Sequence, residues 1–389
     1  MRVGMILDKE YPPDVRVRRE ARALVAAGHE VLLVARNRKG AAREETIDGV
    51  RVLRLPPLDF AGRRAARWMS LPVPVNPFYL AAITRLVHEE DVDVLHVHDL
   101  PLVVGAVAIA KTRGVPVVFD LHEDYPSMIA DEVSSRAGKI IFRRLRALHQ
   151  LERVSLATAD HCLVVVEEQR QRLIGLGVPP DQVTVVPNVL DLSDLPPAPD
   201  YVEPTEEVVF LYTGIFGPTR GLSQLLDALA KGPAEPAVRV VLVGDGEERE
   251  PLERQARALG LSDCVTFAGW QPHDKLGEYM AAADVGLIPH VKTPHVETTM
   301  PNKIYEFLAY GLPVVTSDAA PLARLVNEAE CGISVDVEDP AAFAKALFTM
   351  ATDTDLRLKY SDAGRRYVVN RHNWSKLGAP ALLGAYATL

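Results

Sequence analysis

The sequence predicts an α/β protein made of two doubly wound domains, each a parallel sheet covered by helices on both faces. Three observations carry this expectation. Short runs rich in Val, Ile and Leu recur along the chain, spaced by amphipathic stretches of helical length, and strands buried on both faces read as continuous apolar runs. The alternation breaks once, from Leu190 to Pro204, where four prolines and four acidic residues stand without a base; such a stretch reads as a linker. The length, 389 residues, exceeds one ordinary core.

Taken in order, Val3–Leu7 is a short apolar strand, Val15–Ala27 a helix stopped by Gly28, and Glu30–Ala35 and Val50–Leu55 the next strands. A helix at Asn76–Glu90 leads to a strand at Val94–His98, and a helix at Leu102–Thr112, closed by Gly114, to a strand at Pro116–Asp120. Residues 139–156 form a long helix, Cys162–Val166 a strand, Glu168–Leu176 a helix ended by Gly177, and Val183–Val186 a strand. Beyond the linker, strands are expected at Val208–Thr213, Val238–Val243, Val265–Ala268, Val285–Pro289 and Pro313–Thr316. Helices are expected at Leu222–Ala230, Glu248–Leu259, Asp274–Ala283, Lys303–Tyr310 and Ala341–Met350. Glycine just past a helix end is the usual stop signal. The organisation expected is residues 1–190, a linker at 191–205, and a second domain at 206–370. Two such domains joined by a Pro-rich hinge would face each other across a ligand cleft, with ligands at the carboxyl ends of the strands.

Composition narrows the function classes. Hydrophobic residues make up 48% and charged residues 24%, as in soluble globular proteins. The net charge of −9 argues against nucleic acid as a partner. Residues 1–190 carry 26 Lys and Arg against 24 Asp and Glu, while the remainder carries 17 against 28, so the first half suits anionic company better. The three cysteines, Cys162, Cys264 and Cys331, form no CxxC pair and read as free thiols of a reducing compartment, without disulfides or zinc. The apolar run at Met1–Asp8 is too short for a signal peptide, and the best candidate span, Leu100–Ala110, is 11 residues and contains Pro101, well short of the roughly 18 of a membrane helix. A cytoplasmic location is expected, with any membrane contact peripheral.

Several segments carry chemistry. After the strand ending at Thr213 comes Gly214-Ile215-Phe216-Gly217-Pro218-Thr219-Arg220-Gly221, and a helix begins; helix-start amides plus the Arg220 cation suit a diphosphate. Val241-Leu242-Val243-Gly244-Asp245-Gly246 closes a buried strand with a glycine turn, and Gly269-Trp270 follows the next strand. Thr298-Thr299-Met300-Pro301-Asn302-Lys303-Ile304-Tyr305-Glu306 enters a helix that Gly311 ends; a carboxylate at Glu306, between apolar neighbours, needs a partner. In the first half, Asp120-Leu121-His122-Glu123-Asp124 crowds polar residues at the end of a strand, with Glu123 and Asp124 also suited to capping the next helix. His96, His98 and Asp99 cluster on another strand, and Arg16 and Arg18 follow Tyr11-Pro12-Pro13. His96 and His98 share a strand face that could bind a metal, but no third ligand stands at a convincing spacing. Ile141, Leu145, Leu148 and Leu151 recur at helical spacing beside Lys139, Arg143, Arg144, Arg146 and Arg153, and Arg63, Arg64, Arg67 and Trp68 form a second basic cluster. Both could lie on an anionic membrane, or the stripe could be core.

These motifs, in this order and spacing, resemble family-4 (group 1) retaining nucleotide-sugar glycosyltransferases, over nearly the whole chain and most closely at 208–317 and 94–126. The resemblance implies the GT-B fold, two Rossmann-like domains facing across a cleft. It implies a nucleotide-sugar donor on the second domain, a glycan, lipid-linked or small-molecule acceptor, and no metal or other cofactor. Residues 371–389, beginning Arg371-His372-Asn373-Trp374-Ser375, would be a last helix crossing back to the first domain.

By the same resemblance Glu306 binds the ribose hydroxyls, Arg220 and Lys303 neutralise the diphosphate, and His122 orients the donor sugar; these four would be the catalytic set. Gly214, Gly217, Gly221, Gly244, Gly269, Trp270, Thr298, Thr299, Pro301 and Asn302 would line the donor site. Arg16, Arg18, His98, Asp99 and Glu123 would lie on the acceptor side. The chain departs from the pattern twice. Ile215 stands where the family usually has Arg, and Thr298 where it has a second Glu, the nearest acid being Glu297. A non-catalytic binding or scaffold paralogue, or a nucleotide-sugar 2-epimerase on the same fold, are the other readings.

Overall fold

The computed structural model describes residues 1–37, 40–55, 76–132, 138–199, 201, 207–232 and 238–389, without the side chains of 132–144. The Arg63, Arg64, Arg67 and Trp68 cluster lies outside the described residues. The chain divides into two compact units, Met1–Asn188 with Leu377–Leu389, and Val189–Lys376.

The first unit runs β1 (Arg2–Glu10), α1 (Val15–Ala26), β2 (Glu30–Arg36), β3 (Glu44–Ile47), β4 (Val50–Arg54), α2 (Pro77–His88), β5 (Val94–His98), α3 (Val103–Ala110), β6 (Val117–Leu121), α4 (Tyr125–Glu132), α5 (Gly138–Thr158), β7 (His161–Val164), α6 (Glu167–Gly175) and β8 (Val183–Val185). The eight strands order β3-β4-β2-β1-β5-β6-β7-β8. All neighbours are parallel except β3 and β4, an antiparallel edge that the sequence pattern did not announce.

The second unit runs β9 (Val208–Thr213), α7 (Leu222–Lys231), β10 (Val238–Val243), α8 (Arg249–Ala258), β11 (Val265–Gly269), α9 (Leu276–Ala281), β12 (Val285–Ile288), α10 (Lys303–Ala309), β13 (Val314–Ser317), α11 (Ala320–Ala329), β14 (Gly332–Val335), α12 (Pro340–Thr352) and α13 (Thr354–Asn370). A last helix, α14 (Ala379–Tyr386), belongs to the first unit. The second sheet orders β11-β10-β9-β12-β13-β14 and is wholly parallel, the strand order of a dinucleotide-binding domain.

The cores follow from the alternation of each strand. Leu95, Val97, Phe119 and Leu121 join one apolar cluster with α2, α3 and the described part of α5. In the second unit Phe210, Tyr212, Val240, Leu242 and Leu287 pack with α7 and α12. The stripe on α5 is part of the first core: Leu148 is buried and Leu145 and Leu151 pack against it. That corrects the membrane reading for these residues, because apolar side chains already removed from water cannot also insert into lipid. No helix among the described residues is long and apolar enough to cross a membrane.

Candidate active site

In the second sheet the strand order reverses direction between β9 and β12, and ligands of open parallel sheets gather beyond the carboxyl ends at such a point. β9 runs into Gly214, and β12 into Pro289 and His290. α7 starts at Gly221, which has φ +68° and whose missing Cβ would lie 1.6 Å from the Pro289 carbonyl oxygen. Only glycine lets the start of α7 close on that loop. The helix has no side-chain cap and no acid in its first turn, so its leading amides remain for an anion.

Two cations converge here. Lys303 opens α10 and holds Nζ 3.9 Å from the centre of the Tyr212 ring. It lies close over Gly214, where a Cβ would meet Nζ at 3.0 Å. Burial and the charge of Arg220 lower its pKa to about 7, against the pull of Glu306. His290 is buried, and its Nε2 has no partner; burial, with Lys303 and Arg220 beside it, holds it neutral. Among the described residues no carboxylate stands within ion-pair distance of Arg220 or Lys303. Two basic side chains at a helix start, with Glu306 acting on Lys303 only from beyond ion-pair distance, make a candidate anion site.

The other residues singled out for this unit are placed as follows. Glu306 is only partly covered, although Ile304, Tyr305, Phe307 and Leu308 around it are buried. Gly244 has φ +147° and would put a Cβ 1.8 Å from the Gly214 carbonyl oxygen, so the two turns are pressed together. Gly217 precedes the short turn that carries Arg220. Trp270 is 71% exposed, beside Gly269, whose backbone faces Arg249. Thr298 donates its hydroxyl to the carbonyls of Pro294 and His295 at 3.0 and 3.2 Å. Thr299, Pro301 and Asn302 connect it to α10.

Glu297 is engaged elsewhere, since its Oε2 accepts from the amide of Ala320 at 2.8 Å and caps α11. Glu297→Ala should therefore cost about 1 kcal/mol of stability, as lost caps do, and leave nucleotide affinity unchanged. Thermal melts and nucleotide titrations check this; lost affinity without lost stability would put Glu297 on the ligand instead.

In the first unit, period-2 alternation puts His96 and His98 on one face of β5, and Asp120 and His122 on the same face of β6 and its end; His98 and Asp120 are register partners. Glu20 of α1 reaches this face. All five are buried. Asp120 Oδ2 accepts from His98 Nδ1 at 2.7 Å and from His122 Nε2 at 2.6 Å, and Glu20 Oε1 lies 3.3 Å from the same Nε2. Burial and the Arg16 charge push the His122 pKa down, but Asp120 and Glu20 prevail and raise it to about 9. His122 is thus held as an imidazolium, and its Nδ1 is buried without a hydrogen-bond partner.

Glu20, His98, Asp120 and His122 have the donor set of a metal site. In this structure His98 and His122 are joined to Asp120 by direct hydrogen bonds of 2.7 and 2.6 Å.

Arg16 and Asp99 come together at 3.7 Å, with Asp14 on Arg16 and Lys9 on Asp99. Burial opposes it, but Arg16 holds the Asp14 carboxyl at about 2. A cavity beside them is lined by Asp8, Lys9, Glu10, Pro13, Asp14 and Arg36. Arg18 points elsewhere and pairs with Asp48 at 2.7 Å. Glu123 is partly buried. Asp124 accepts from the Ser127 amide at 3.2 Å, capping the first turn of α4, and pairs with Arg172 at 3.2 Å. Sequence reasoning missed Glu20, Tyr212 and His290, and it placed Asp120 in a polar cluster without giving it a role. Glu20 was legible: with Val17, Ala21 and Leu24 it lies on the inward stripe of α1, where a carboxylate is out of place.

An eight-stranded and a six-stranded α/β unit, the second with the strand order of a dinucleotide-binding domain, have the architecture of the GT-B glycosyltransferases. The chain belongs to the group 1 glycosyltransferases: the family profile "Glycosyl transferases group 1" matches residues 198–367, and "Glycosyl transferase 4-like domain" matches 13–189. It is 28% identical to a phosphatidyl-myo-inositol mannosyltransferase of Mycobacterium leprae, over 100% of this chain and 97% of that one. Sucrose-phosphate synthase from Thermosynechococcus elongatus superposes with a TM-score of 0.80 at 22% identity, covering 100% and 98%. HepE of Anabaena, solved in complex with UDP-glucose, gives 0.71 at 18%, covering 100% of both chains.

Proposed function

We propose that the protein is a retaining hexosyltransferase. It moves a sugar from a nucleoside diphosphate sugar to a hydroxyl of a glycan, lipid-linked or small-molecule acceptor, in polysaccharide or cell-envelope glycan assembly, without a metal. The observation that carries this is the pair Arg220 and Lys303, with no carboxylate at ion-pair distance among the described residues, Arg220 at the uncapped start of α7 and Lys303 close enough to feel its charge. The bond that breaks joins the anomeric carbon to the diphosphate oxygen. Negative charge grows on that leaving group, and two preorganised cations stabilise it more in the transition state than in the ground state. They supply the charge that a divalent ion supplies elsewhere. Glu306, on the turn after Lys303, holds the ribose hydroxyls, and the His122 imidazolium offers Nδ1 to a substrate oxygen. Retention of configuration rests on the family pattern. The UDP-glucose of HepE makes UDP the first nucleotide to try.

A thermal-shift screen against UDP, GDP, ADP and dTDP, in EDTA, tests the reading. One nucleotide should raise the melting temperature by mass action, since it binds only the folded chain, and Glu306→Ala should remove the shift. Transfer from the matching nucleotide sugar should proceed in the same buffer. No shift from any of them would favour a scaffold, and turnover of the nucleotide sugar without an acceptor would favour an epimerase.

A further inference from the structure

The last helix of the chain reaches into the polar face of the first sheet. α14 packs on α1 and β8 and delivers the buried Tyr386 to His96, with Oη 2.7 Å from Nδ1. Burial, with Glu20 and Asp120 nearby, keeps that phenol protonated, its pKa well above the ordinary value. Its hydroxyl therefore donates, and His96 carries its own proton on Nε2, a tautomer assigned from this network. Burial and the neighbouring His98 keep His96 neutral. Nε2 lies 3.6 Å from both Glu20 Oε2 and Asp120 Oδ2, close enough for its N–H dipole to act on both carboxylates but too far for a hydrogen bond. Those two carboxylates hold Nε2 of His122.

We propose that Tyr386 is a positioning residue for His122: through His96 it orients the buried Glu20 and Asp120 carboxylates that fix the His122 ring, so that the C-terminal helix completes a site built on α1, β5 and β6. The proposal rests on His122 facing substrate. Without the phenol, His96 can adopt the opposite tautomer and turn a lone pair toward two carboxylates. Their favourable dipole is lost, and so is the fixed charge distribution that Arg16, Glu20, His98 and Asp120 present to His122.

The test is Tyr386→Phe in the full chain, which keeps the ring and its packing. In nitrogen-15 spectra of the histidine rings, His96 should leave the pure Nε2–H form. Turnover per folded molecule should fall roughly tenfold, the worth of one hydrogen bond, with donor KM little changed, and the alkaline limb of the pH profile should move from its wild-type position. A lower melting temperature with kcat and the alkaline limb unchanged would overturn the proposal and leave Tyr386 a packing residue. His122→Asn separates the two claims. If it is inactive while Tyr386→Phe keeps a wild-type profile, the positioning role alone is overturned. If His122→Asn keeps full activity, the substrate-facing role of His122 falls, and the proposal with it.

Discussion

Lys303→Met is expected to lower kcat/KM by about 10²- to 10³-fold, the loss seen when one preorganised electrostatic donor is removed, and to abolish a pH dependence that the wild type should display. In the free protein Lys303 titrates near 7, because burial and Arg220 disfavour its charge. A diphosphate arriving beside it favours the charged form and raises that pKa, so binding takes up a proton at pH 8 and almost none at pH 6. Affinity for the nucleotide sugar should hold steady below about pH 7. It should weaken as pH rises through 7 by up to tenfold per unit, one proton of linkage, until the raised pKa of the complex is passed. Isothermal titration at pH 8 in two buffers of unlike ionisation enthalpy reads the proton directly. The nucleotide sugar is the right ligand, since its diphosphate diester does not titrate in this range. Equal heats in the two buffers, or a Lys303→Met protein that keeps the pH slope, would sink the assignment.

The same residue explains why part of the site was legible and part was not. Lys303, Arg220 and Glu306 stand at fixed spacings inside one helix or one loop, and such spacing survives in a linear sequence. The fold was legible for a similar reason: most of the parallel strands are short apolar runs, many of them with glycine or proline close to one end. α13 escaped because its signal is weak. It is 17 residues long but buries only Gly364 and Val368, so no apolar stripe marks it. The β3 edge strand escaped because Glu44–Ile47 is polar and half-exposed. The His122 network escaped for a deeper reason. Glu20, His96, Asp120 and Tyr386 come from four separate elements, and their contacts depend on pairing registers and helix docking that no local spacing encodes. His96 and His98 were noticed as a pair on one strand face, but the carboxylate that joins His98 to His122 lies on the neighbouring strand. The Glu306 argument was only partly sound: its neighbours are buried, as the pattern required, yet the side chain itself reaches the surface.

Gly221→Ala is the second large effect expected, and it acts through shape rather than charge. The added Cβ would lie 1.6 Å from the Pro289 carbonyl oxygen, a backbone atom that cannot swing aside as a side-chain tip can. Either α7 backs away from the loop after β12, or that loop moves and takes His290 with it. The positive φ of 68° adds a smaller cost of its own, roughly 1 kcal/mol. Gly260→Ala measures that smaller cost alone, because Gly260 also has positive φ, +73°, but nothing within 4 Å of its Cβ position. In urea unfolding Gly221→Ala should lose about 3 kcal/mol or more, in the range of overpacking with strain, against about 1 for Gly260→Ala. Nucleotide affinity should separate them further. Gly260→Ala leaves the start of α7 where it is and should bind as the wild type does. Gly221→Ala displaces the leading amides of α7 from Arg220 and Lys303 and should bind at least tenfold more weakly. Equal losses in the two variants would mean that the α7 start and the β12 loop do not need their close approach, and the anion site would then rest on the two cations alone.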